Sequence, residues 1–198
     1  MQKRWSEPSF ARFEIATMMG FYSIRKLIEA NKLTTKATDT LISMVFYPTL
    51  GKPVTRFNNH RVDELYDLDA PRPTNLNLTK VCHQFIHSYV FVPVFNKRNR
   101  LSIILIASDY QRSKALLAIE VKTVIGVFEK ISRDEVRSSH SVFDDSTGDY
   151  RIKNYSTSSF RGQKDAPMVF KSAPRRVPQV SILRPGKAQH STRLPPTR

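Results

Sequence analysis

The chain has 198 residues, 40% of them hydrophobic, and its 32 Lys plus Arg against 17 Asp plus Glu give a net charge of +15. That length allows one medium domain with an extension, and no window has the ~18 consecutive apolar residues of a membrane span. Residues 150–198 hold eleven basic residues and one acidic residue, Asp165, so the excess charge lies in the C-terminal quarter and the rest is mildly basic.

Cys82 is the sole cysteine, which excludes an intrachain disulfide and suits a reducing compartment. The N-terminus, Met1 to Pro8, lacks the apolar core of a secretion signal, so the sequons at Asn77 and Asn154 are set aside. A soluble cytoplasmic protein is the expectation.

Residues 9–31 predict a long helix. Ser6 is a cap, Pro8 suits the first turn, and Asn31 ends it. Phe10, Phe13, Thr17, Gly20/Phe21, Ile24, Leu27 and Ile28 follow three-four spacing, and Met18, Met19 and Tyr22 widen the apolar face, predicting heavy burial. Gly20 costs about 1 kcal/mol relative to Ala inside a helix, which points to a close neighbour there.

Thr34–Thr40 reads as a polar loop and Leu41–Tyr47 as a strand stopped by Pro48. After the turn-rich Gly51-Lys52-Pro53, residues 59–68 predict a short helix capped by Asn58 or Asn59, and Pro71-Arg72-Pro73 reads as a loop. Leu78–His87 has helical spacing.

The hairpin that follows organises the fold. Tyr89–Phe95 is aromatic and β-branched, Asn96-Lys97-Arg98-Asn99 is a polar turn, and Arg100–Ala107 is apolar at nearly every position. A run without alternation needs cover on both faces and so belongs in the middle of a sheet. Pro93 lacks a ladder donor and assigns its strand to an edge, to a bulge or to a non-bonding position. Residues 115–120 alternate as a third strand and 121–131 form a helix, in preference to one helix over 111–132; Gly126 invites close packing.

Beyond Ile131 the sequence turns Ser- and Asp-rich, then basic and proline-containing, too poor in apolar residues to offset its chain entropy. The expectation is an α+β fold: a long N-terminal helix and a C-terminal helix packed on a small, mainly antiparallel sheet. One domain over 5–148 is followed by a disordered basic tail, 149–198.

The chemistry-bearing patterns are sparse. His83 and His87 share a helix face and could grip one metal, with His60, Asp63 or Glu64 as a third ligand. The metalloprotease pattern requires Glu after the first His, and Gln84 stands there. The plainer reading, two polar residues at a helix end, is preferred. Cys82 lies about 100° around the helix from His83 and reads as core rather than as a nucleophile. Gly51-Lys52 is followed by Pro53, where a phosphate loop needs Ser or Thr.

Arg56 and Arg61 form a basic cluster able to bind an anion, countered by the acidic run from Asp63 to Asp69. Arg175, Arg176 and Arg184 give the tail the means to attract nucleic acid without sequence preference, and the apolar island 177–183 could add a strand to a partner's sheet. The leading expectation is a binding or interaction module without enzymatic activity, taking a protein partner or small ligand. Nucleic-acid association through the tail is the alternative, and an enzyme or metal site at His60, His83 and His87 comes third. No cofactor is called for.

Overall fold

The computed structural model describes residues 5–156 and the backbone of 169–170. Helix α1 (Glu7–Glu29) leads to the one-turn α2 (Thr35–Thr38), strand β1 (Leu41–Pro48), α3 (Val62–Leu65), β2 (Arg72–Asn77) and α4 (Leu78–Ile86). Strands β3 (Ser88–Phe95), β4 (Leu101–Ser108) and β5 (Ala115–Glu120) follow as a meander, then α5 (Val121–Ser132), the hairpin β6 (Ser138–Asp144) and β7 (Asp149–Tyr155), and the two-residue β8 (Val169–Phe170).

The main sheet runs β2-β1-β5-β4-β3, antiparallel throughout, with β8 added in parallel to β1. The predicted hairpin is present. Asn96 Oδ1 accepts from the amides of Arg98 and Arg100, both at 3.0 Å, and Asn99 turns the chain at φ 55°. Pro93 lies on an edge strand that is also bulged, and β4 lies in the interior. The opposite edge, β2, carries Pro73, so each rim of the sheet has a residue that blunts pairing with other chains.

Both faces of β4 are covered. Ile104 and Ile106 face a core built with α1, α4 and α5, including Phe21, Ile24, Phe85, Val124 and Val127. Ile103, Leu105 and Ala107 face a second core under Val54, Val62, Leu65 and Tyr66 from the segment between β1 and β2.

Helix α1 ends in a Schellman arrangement. Asn31 adopts φ 52°, its amide reaches the Ile28 carbonyl at 3.0 Å, and that of Lys32 reaches Leu27 at 2.9 Å. The tight approach at Gly20 is against the ring of Phe128 on α5. The predicted wide burial is narrower: of α1 only Thr17, Phe21 and Ile24 are buried, while Ile15, Met19 and Tyr22 are exposed.

Four further expectations are corrected. Thr34–Thr40 is not all loop, because Thr34 caps α2 by accepting from the Ala37 amide. The short helix spans only 62–65, with Arg61 at its N-cap position; Asn58 instead closes a turn with Thr55, and Asn59 donates to the Tyr89 carbonyl at 3.0 Å. Residues 72–77 form edge strand β2 rather than continuing the 71–73 loop. The boundary at 148 falls inside a hairpin: 149–155 pair with 138–144 along their whole length, so order continues past the composition change. The expectation of disorder for the rest of the tail falls, apart from 169–170, on residues outside those described.

Candidate functional site

The histidine pair is where the sequence places it. His83 on α4 and His87 at its C-cap are exposed, with ring centroids 4.6 Å apart. Partial burial, then His87 and Arg25, hold the His83 imidazole below its ordinary value. His60 is exposed on the segment that covers the opposite face of the sheet. Asp63 and Glu64 belong to that segment, and no group of three or more His, Cys, Asp or Glu among the described residues could hold a metal ion. Gln84 serves the fold instead. Its buried Oε1 accepts the Ser108 amide at 3.0 Å, closing the end of β4. Burial pushes the Cys82 thiol up to about 12, which leaves almost no thiolate at neutral pH.

Arg56 and Arg61 are exposed beside Phe57, the most exposed large apolar side chain described, at 90%. Arg61 is 3.8 Å from Glu64, a solvated pair of little strength. Nothing in the sequence connects this loop to the β4–β5 turn. Arg112 makes that link, with Nη1 donating to the Val54 carbonyl at 2.6 Å and its guanidinium 3.8 Å above the Tyr89 ring. Tyr66 Oη donates to the Arg112 carbonyl at 2.8 Å. That link ties the segment carrying Arg56, Phe57 and Arg61 to the β4–β5 turn, which carries Tyr110, 71% exposed with the Lys114 ammonium 3.7 Å above its ring. Arg175, Arg176 and Arg184 lie outside the described residues, as does the island 177–183.

The β6–β7 hairpin is the surface that composition conceals. Its turn is built by Asp144, whose Oδ1 accepts the amide of Ser146 at 3.0 Å and its hydroxyl at 2.6 Å, and by Gly148 at φ 66°. Those bonds, with Arg151, hold the Asp144 carboxyl below its usual range. Phe143 lies opposite Tyr150 and Ser141 opposite Ile152, so one face carries an aromatic pair, 5.2 Å between centroids, and Ile152 beside it. All three apolar side chains are exposed.

At its base the same face turns inward. Asn154 is buried, its Nδ2 donating to the carbonyls of Asn31 at 2.8 Å and Leu33 at 2.9 Å while Oδ1 accepts from Ser139 Oγ at 2.7 Å. The hairpin is therefore fixed at one end and exposed along most of its length. The signal in the sequence is two strand-length runs, 138–144 and 149–155, either side of an Asp-Ser-Thr-Gly turn. Comparison of the chain with protein-family models, with curated proteins and with solved structures gives no match.

Proposed function

We propose that this chain is a protein-binding module, without enzymatic activity, whose contact surface is the projecting β6–β7 hairpin. The observation that carries this is the exposure of Phe143, Tyr150 and Ile152 on one face of a two-stranded ribbon. A lone hairpin is marginal in water, and exposed aromatics held on a rigid base are the usual material of interface hot spots. Both ribbon edges also lack a third strand among the described residues, a geometry suited to main-chain pairing with a partner.

The test compares full-length wild type with Phe143→Ser/Tyr150→Ser and with an α1 control, Ile15→Ser/Met19→Ser. A true partner binds wild type and control alike and the hairpin variant about 30-fold more weakly, from about 2 kcal/mol for a lost hot spot. Equal binding by all three chains refutes the assignment.

A second reading is favoured by two exposed aromatics, Tyr110 under the Lys114 ammonium and Phe57 next to Arg56 in the chain. Aromatic faces with cations beside them suit the stacking of single-stranded nucleic acid. Oligo-dT binding lost in Phe57→Ala/Tyr110→Ala places the contact at these two aromatics. Loss instead in Arg175→Ala/Arg176→Ala/Arg184→Ala, with a salt slope flatter by about 0.7 per contact, places it in the tail. No binding by wild type at low salt eliminates this reading.

A further inference from the structure

Helix α4 is fixed in rotation by its buried side. Leu78, Val81, Cys82, Gln84 and Phe85 are buried, which turns His83 outward. His87 follows one turn later. Its amide donates to the His83 carbonyl at 3.1 Å, and its own carbonyl accepts the Asp109 amide at 3.0 Å. Backbone bonds thus hold two exposed histidines four positions apart, the spacing at which helical side chains meet. The backbone does not have to move for the two rings to act together.

The separation of the rings decides what they can hold. A cation about 2.1 Å from one nitrogen of each imidazole lies about 3.2 Å from each ring centre. Two such ligands at about a right angle put the centroids about 4.5 Å apart, and at the tetrahedral angle about 5.2 Å. The observed 4.6 Å is the spacing of two adjacent ligands at about a right angle. Arg25 of α1 is the positive charge close enough to act on His83, and its Nε lies 2.7 Å from the Glu29 carboxylate, which offsets its repulsion of a cation.

We propose that His83 and His87 form a two-imidazole chelating site for copper(II) at the surface of α4. Imidazole nitrogen suits this ion, a tetragonal arrangement supplies the right angle, and copper(II) stands highest in the order of divalent affinities. No third His, Cys, Asp or Glu joins the pair among the described residues, so the chain supplies two adjacent positions and leaves the others to water or a small donor. Asp109, the residue bonded to His87, has its carboxylate turned to Arg112 Nε at 3.0 Å instead. This site is separate from the hairpin and does not depend on the function proposed for it.

The experiment titrates copper(II) into the full chain by calorimetry at neutral pH, as wild type, His83→Gln, His87→Gln and a control, His60→Gln/His140→Gln/His190→Gln. Wild type and control should take up one ion with equal affinity. Each single variant should bind it about 100-fold more weakly, the lower end of the gain from joining two ligands on one support. Zinc(II) should bind wild type more weakly than copper(II). A second arm needs no substitution: in wild type, copper(II) should broaden the imidazole proton resonances of His83 and His87 before those of His60 and His140. No uptake by wild type, unchanged affinity in either single variant, or loss in the control would overturn the proposal. So would zinc(II) binding as tight as copper(II), or broadening that begins at another histidine.

Discussion

Replacing Gly20 with Ala tests the packing of α1 on α5. A β-carbon there would fall on the tip of the Phe128 ring, with Cε2 at 2.7 Å, Cε1 at 3.0 Å and Cζ closer still. The ring cannot stay where it is, and it is also in edge contact with Phe21, centroids 5.1 Å apart. Overpacking of this kind costs about 1–3 kcal/mol, against a gain of about 1 kcal/mol from helix propensity. Gly20→Ala should therefore destabilise the wild-type background by about 0–2 kcal/mol. In a Phe128→Ala background the obstacle is gone, and the same change should stabilise by about 1 kcal/mol. Urea unfolding of the four chains gives the coupling energy, expected at about 1–3 kcal/mol. If Gly20→Ala has the same effect in both backgrounds to within about 0.5 kcal/mol, the Phe128 ring is not what keeps a side chain out of this position.

Asn154→Ala leaves the carbonyls of Asn31 and Leu33 without their side-chain donor, a loss of about 1–3 kcal/mol by urea unfolding; hydrogen exchange should quicken across 138–155 before it does in β4. Alkaline pH should weaken the fold, because burial raises Tyr66 and Cys82 to about 12 and Tyr47 above its ordinary value. All three lose protons more readily in the unfolded chain, so their contribution is complete below about pH 9 and is lost as pH rises towards 12; a urea midpoint constant from pH 8 to 11 would contradict this. His83 has the opposite sign: its lowered folded value means stability is lost as pH falls below about 6.5, and His83→Gln should remove that part of the acid sensitivity, read from the urea midpoint between pH 7 and 5.

Much of the main sheet is legible in the sequence because burial leaves a periodic trace. The unbroken apolar run 101–107 marks an interior strand, Pro93 marks an edge, and the alternation of Leu117, Ile119 and Val121 with Ala118 and Glu120 points to a strand ending near the start of α5. Edges and ribbons leave a weaker trace. Strand β2 reads Arg-Pro-Thr-Asn-Leu-Asn, with two exposed residues at its start and none buried, and is held by the backbone of β1. The β6–β7 hairpin buries a single residue, Asn154, so a shift from apolar to polar composition imitates the end of order. Histidine spacing reports a shared helix face, but spacing on one element says nothing about a third ligand from another. The tie between the Phe57 segment and the β4–β5 turn depends on Arg112 reaching Val54, a contact across 58 positions that no local window contains.

The connector from Asn31 to Thr40 is held by polar contacts as well as by the burial of Leu33 and Ala37 in the core under the helices. Its polar fixed points come from far along the chain: α5, the linker just after it, and β7. Asp134 accepts both the amide and the hydroxyl of Thr34 at 2.7 Å, Lys130 Nζ donates to Thr40 Oγ1 at 2.7 Å, and Asn154 bonds to Asn31, Leu33 and Thr35. Each such bond contributes about 1 kcal/mol net, rising when a charge takes part, so several are needed to do what one buried Phe does elsewhere. The connector ends where β1 begins, one residue before Leu41. The base of the hairpin and the start of β1 therefore share one scaffold, α2 and its flanks. Loosening Asn154 frees the hairpin and removes a constraint one short helix away from the residues against which Val169 and Phe170 lie. The base of the hairpin and the start of β1 thus rest on a common support, held by these hydrogen bonds together with the burial of Leu33 and Ala37.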